Sequence, residues 1–312
     1  MTGGALSNPV LIEPDIDRYG QDARVSALAD FLELAALAGY RITTAALQDV
    51  IVDNEWVRRP LRRYLLPEDV EDDPESWADA VFSMIGERGA QLGELYPFEV
   101  RRRSVAVKDP TFTREDSPYL SLLAITTVHA CGIDAPVSAE ATLEEVVANT
   151  LAHLGISAVN IGATDRGTGF VKALHDGARA LDLWAMQDPR PRSARAKDVG
   201  VDTLGGFVWR DHRQAGHWLI IGQVTAAQSQ HWAMKLAQPQ PARWATYLQE
   251  LLHPQVFLAV PHHVQDDHLR DLMESRRGVV IDRLRIVANK PDNTIAERSL
   301  IRAMLDTRVE KP

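Results

Sequence analysis

Between residues 140 and 286 the chain switches repeatedly between a helical and an extended period, and that alternation restricts the folds open to it. A helical stretch beginning near Thr142, with Leu143, Val147, Leu151 and Leu154 on one side, leads into a short apolar run at 157–161. An amphipathic stretch at 170–184 follows. A Pro- and Arg-rich loop (188–197) then opens into two extended runs, 200–209 and 217–225, joined through Gln214-Ala215-Gly216. A helix at 242–252, a strand at 256–260, a helix at 265–275 and a strand at 279–286 complete the pattern. Strands separated by helices define an α/β domain.

The first half reads differently. Val25, Leu28, Phe31, Leu32, Ala35 and Leu37 recur at three- and four-residue intervals, and Gly39 can end that helix. Thr43 or Thr44 can cap a second helix carrying Leu47, Val50 and Ile51. A basic helix is expected at 56–66 and a further one along Trp77, Val81, Ile85 and Leu92, with extended segments at 96–100 and 104–107. The apolar run 119–128 reads as a buried helix. A chain of 312 residues is about twice the usual domain length. Pro136 and Ser138 place the boundary, giving a mostly helical N-terminal domain (1–136) and an α/β domain (137–312).

Particular residues stand at the element ends of the second half. Leu143-Glu144-Glu145-Val146-Val147 puts a carboxylate on its first helix; Glu144 shares a side with Val147 and Leu151, whereas Glu145 projects nearer solvent. Asp202 enters the first strand of the 200–225 pair, and Gln223 sits near the end of the second. The order helix, strand, strand, strand, helix, strand with an acid, an Asp and an (E/Q)-x-K position resembles the PD-(D/E)XK, or restriction-endonuclease-like, nuclease superfamily over residues 141–287. The resemblance implies an αβββαβ core. It also implies a magnesium (or manganese) ion held by Glu144, Asp202 and Gln223. Magnesium is a hard cation that takes oxygen ligands and keeps several waters, and it can polarise a phosphoryl group while acidifying an attacking water. In the motif the metal ligand and the lysine are two apart because such residues share one face of a strand.

The chain departs from that pattern twice. Gln223 brings an amide oxygen without a charge, and Thr225 occupies the lysine position. Lys235, ten residues further on, is the residue expected to replace that lysine. The resemblance therefore implies catalysis by Glu144, Asp202, Gln223 and Lys235. The basic loop supplies Arg190, Arg192, Arg195 and Lys197 for phosphate contact. Each residue also has an ordinary role: glutamates favour helix N-termini, and an aspartate suits a turn into a strand.

Other features carry less. His262-His263 with Asp266, Asp267 and His268 has metal-ligand composition but reads as a strand-to-helix turn; Arg101-Arg102-Arg103 reads as a solvated face. Trp209, Trp218, Trp232 and Trp244 read as packing residues. No phosphate-cradling glycine loop or nucleophile elbow is present. The formal net charge of −9 excludes a basic field over the whole protein. The single cysteine, Cys131, and the absence of a signal-like start or an apolar span lead to the expectation of a cytoplasmic protein without membrane contact. The resemblance implies a metal-dependent nuclease, acting on DNA more than RNA, in a prokaryotic restriction or anti-phage defence system. A partner protein or self-association is expected through the N-terminal half. The alternative is a catalytically silent nuclease-fold subunit that binds nucleic acid or a partner protein, which Thr225 favours.

Overall fold

The computed structural model describes residues 24–53, 73–161, 169–189, 200–207, 209 and 216–307. The helix expected at 56–66 and the basic residues Arg190, Arg192, Arg195 and Lys197 lie outside them.

The first half contributes α1 (Arg24–Leu37), α2 (Thr44–Asp53), α3 (Pro74–Leu92), the hairpin strands β1 (Phe98–Arg101) and β2 (Ser104–Val107), and α4 (Pro118–Cys131). Local chemistry fixes several ends. Asp73 caps α3 by accepting from the Ser76 N–H at 2.8 Å, with Pro74 in the first turn where its missing N–H costs nothing. Ser117 caps α4, and Gly132, in the left-handed region at φ 63°, closes it. Arg102 and Arg103 form the β1–β2 turn, both with positive φ.

The second half runs α5 (Ala139–His153), β3 (Ser157–Asn160), α6 (Phe170–Ala180), β4 (Thr203–Phe207), β5 (Trp218–Val224), α7 (Trp232–Ala237), α8 (Pro241–Tyr247), β6 (Gln255–Ala259), α9 (Asp266–Arg276), β7 (Val279–Ile281), α10 (Arg283–Asn289) and α11 (Ile295–Asp306). Its five strands form one mixed sheet in sequence order. β3, β4 and β5 pair antiparallel, and β6 and β7 then add in parallel. The strand expected at 279–286 is in fact three residues long. Asp282 stops it by accepting from the Arg285 N–H at 3.1 Å and so capping α10. The first helix of this half is capped by Ser138, and Thr142 lies inside it.

Alternation along the strands gives the sheet two buried faces, as expected when helices cover both sides. Leu219 and Ile221 of β5 and Val256 and Leu258 of β6 pack with α6 to α9 around Trp232 and Trp244. Val224, Phe257 and Ala259 point the other way, into a larger core shared with α1 to α5, α10 and α11. That core is continuous across residue 136: Leu28, Trp77 and Tyr119 belong to the same cluster as Leu143, Phe257 and Ile286. Among the described residues, no helix is long and apolar enough to cross a membrane.

Candidate active site

β4 and β5 pair with Thr203 opposite Gly222, so one step further Asp202 stands opposite Gln223. The Asp202 N–H donates to the Gly222 carbonyl at 2.8 Å, and its own carbonyl accepts from the Ile161 N–H at 2.7 Å. Asp202 is thus clasped between the end of β3 and β5. Its side chain departs from simple pairing, because Oδ2 accepts the Val224 N–H at 2.9 Å. Both Asp202 and Gln223 share strand parity with Leu204 and Ile221, which face α6 to α9. Gly222 faces the other way with the Phe257 ring against it; a Cβ there would lie 2.4 Å from that ring.

Lys235 reaches the same face from α7. Its Nζ donates to Gln223 Oε1 at 3.1 Å. Three contacts set α7 in place. Trp232 is buried, its Nε1 donates to the Ala227 carbonyl at 2.9 Å, and its ring stacks on His268 at 5.6 Å. Gly200, at φ 75°, lies against Gln238 at the end of α7, where a Cβ would come 3.1 Å from the Gln238 carbonyl oxygen. The turn into β4 therefore runs directly beside the helix that carries Lys235. Thr225 turns back on its own loop, its Oγ1 accepting from the Ala227 N–H at 3.1 Å.

The structure thus brings Asp202, Gln223 and Lys235 to one place. Glu144 stays in the layer beyond the sheet: it is half-buried on α5, whose Leu143, Val147 and Leu151 enter the core on the opposite face. Glu145 is exposed, as its helical position requires. The donors around Asp202 and Gln223 are all oxygens, which suits a hard cation that retains waters. Among the described residues, no group of three His, Cys, Asp or Glu side chains gathers as a ready metal cage.

A second polar cluster, which the sequence reading missed, lies inside the larger core. Asp30 and Glu33 of α1, Arg88 of α3, Tyr119 of α4 and Arg283 of α10 are all buried together with His262 and His263, which follow β6. Arg283 grips Asp30 with both terminal nitrogens at 2.7 Å and donates Nε to the Pro261 carbonyl at 2.7 Å. Arg88 donates to Glu33 at 2.8 Å and to His263 Nδ1 at 3.4 Å, and Glu33 also accepts from Tyr96 at 2.5 Å. Burial pushes the Asp30 carboxyl up, but Arg283 and Arg88 hold it below its ordinary value. Burial, aided by Asp30, raises Glu33 against the pull of Arg88. Burial and the nearby Arg283 guanidinium lower His262 to about 4, and burial with Arg88 takes His263 well below its ordinary value. The sequence signal was a helix apolar nearly all round that nevertheless carries two acids, which must then find buried partners.

Two tryptophans depart from the packing role expected of them. Trp232 and Trp244 are buried, whereas Trp209 and Trp218 are exposed and meet edge to face at 5.6 Å. Comparison of the chain with known protein families, curated proteins and solved structures gives no match.

Proposed function

We propose that the protein is a metal-dependent nuclease with a restriction-endonuclease-like αβββαβ core, cleaving phosphodiester bonds of nucleic acid. The observation that carries this reading is the Lys235 Nζ–Gln223 Oε1 contact of 3.1 Å beside Asp202. It puts a cation where Thr225 provides none. The strand order, antiparallel over β3 to β5 and then parallel, supports the same reading.

Asp202 and Gln223 would hold magnesium or manganese, and Glu144 of α5, which lies beyond the sheet from them, is left out of the set. Such an ion, when bound, polarises a scissile phosphate and acidifies a water. Lys235 orients that water and offsets charge developing on the phosphate oxygens, an interaction strongest where water is partly excluded. The half-buried setting of both Asp202 and Lys235 meets that condition. Arg190, Arg192, Arg195 and Lys197 are assigned to the phosphate backbone, DNA before RNA. The context proposed is prokaryotic restriction or anti-phage defence.

The test is cleavage of plasmid, single-stranded DNA and RNA by purified protein with magnesium or manganese. Asp202→Ala is expected to lower cleavage by about a thousandfold, and Lys235→Ala by about a hundredfold. The second reading, a silent subunit binding nucleic acid or a partner protein, is favoured by the Thr225 hydroxyl being turned into its own loop. Folded wild type that cuts none of these substrates with either metal supports that reading and overturns the first.

A further inference from the structure

The sheet face turned away from Gln223 is incompletely covered. Between α5 and α10 it opens as a cleft of about 480 Å³, within the range of small-ligand sites. Ile220, Phe257 and Ile281 form its floor, and Val147 and Leu151 of α5 form a wall. Leu154, 50% exposed, and Val279, 36% exposed, leave apolar surface to water at its margin.

Arg285 of α10 is the one charged side chain lining this cleft among the described residues. Its Nη1 donates to the Val280 carbonyl at 2.5 Å, which fixes the guanidinium while leaving most of its five N–H donors for another acceptor. Asn289, one helical turn on, also lines the cleft and donates to the Arg285 carbonyl at 2.8 Å.

We propose that this cleft binds a small amphiphilic monocarboxylate: an unbranched apolar tail along the sheet and α5, with the carboxylate on Arg285. A guanidinium presents paired donors that match two carboxylate oxygens. A single lining cation balances a single negative charge. A dianionic phosphate monoester would leave one of its charges without a partner on the single lining cation. The site lies on the other face of the sheet from Asp202, so it stands independently of the nuclease reading.

The experiment is calorimetric titration of the whole protein with decanoate, octanoate, decanol, decyltrimethylammonium and decyl phosphate, all below their micellar ranges. Decanoate is expected to saturate one site. Octanoate, shorter by two methylenes, should bind roughly fifteenfold more weakly, because each buried methylene is worth about fourfold. Decanol and the cationic amphiphile should also be at least tenfold weaker. Arg285→Gln should reduce decanoate to the level of decanol while leaving decanol itself unchanged, and Leu154→Trp should weaken both. Both variants alter exposed side chains, and their melting curves are recorded beside the titrations as the check on folding. Equal binding of all the ten-carbon probes, no saturable decanoate binding, tighter binding of decyl phosphate, or indifference to Arg285→Gln would each overturn the assignment.

Discussion

Two polar groups lie on opposite faces of the same sheet, and they solve opposite problems. The cluster of Asp30, Glu33, Arg88 and Arg283 balances two negative against two positive charges in full burial. Its members spend their hydrogen bonds on one another, on Tyr96, Tyr119 and Thr126, and on main-chain carbonyls. Asp202 and Gln223 at strand ends and Lys235 on α7 form a smaller group, in which Asp202 and Lys235 keep some exposure. The richer cluster joins α1, α3 and α4 to the segments following β6 and β7. The sparser one lies where β4 and β5 meet α7, with Gln223 buried and Asp202 and Lys235 half-buried.

Removing one partner from each group should separate them most sharply. Arg283→Met leaves Asp30 buried beside Arg88 alone and strips partners from Pro261 and Thr126. The expected loss is about 3–5 kcal/mol, the usual cost of orphaning one member of a buried ion pair. Lys235→Met removes the donor to Oε1 of the buried Gln223 from a half-buried side chain and should cost about 1–3 kcal/mol. Urea unfolding followed by circular dichroism reads both. Similar losses in the two variants would break the contrast.

The histidines beside the buried cluster give the next largest effect. His262 is held neutral, with its value lowered to about 4 from the ordinary 6.5 by burial and then by Arg283. Its proton is therefore taken up first by the unfolded chain, and stability falls as pH drops from 6.5 toward 4. The full window corresponds to about 3 kcal/mol, at about 1.4 kcal/mol per pH unit. His263 acts in the same direction. Asp30, lowered, adds stability that is lost only as pH falls through its depressed value. Glu33, raised, works oppositely, its contribution declining as pH rises above 4.5. Stability measured against pH for His262→Gln should be flatter between 4 and 6.5 by one proton. An unchanged slope would mean that His262 already carries its proton in the fold.

The same contrast explains what the sequence disclosed. Period and turn chemistry placed α1, α4 and β3 to β6 within a few residues, because each has a continuous apolar face and a local end signal. Asp202 and Gln223 were put on neighbouring strands by the resemblance to the nuclease motif, whereas their cross-strand register is seen only in the fold. What escaped depends on distant partners. Arg283 and Asp30 are 253 residues apart, and nothing near either announces the other. The end of β7 escaped because apolar residues continue past it at Leu284 and Ile286, and the Asp282 cap is what divides strand from helix. Trp209 and Trp218 were misplaced because composition does not say which face of a hairpin is left uncovered.

Trp232 gives the smallest effect and the finest probe, since it touches both regions. Its ring lies 5.6 Å from that of His262, which borders the buried cluster, and it opens the short helix that carries Lys235. Trp232→Phe keeps an aromatic ring against His268 but removes the Nε1 bond to the Ala227 carbonyl. The expected stability loss is about 1–2 kcal/mol, from the hydrogen bond and the smaller buried ring together. If Trp232 acts on cleavage through the placement of Lys235, its effect should vanish once Lys235 is gone. In a double-mutant cycle with Lys235→Ala, the stability losses should therefore add while the cleavage losses do not. Additive cleavage losses would show that Trp232 supports the site by another path, and strongly coupled stability losses would show that the strand-end group is as interlocked as the buried one.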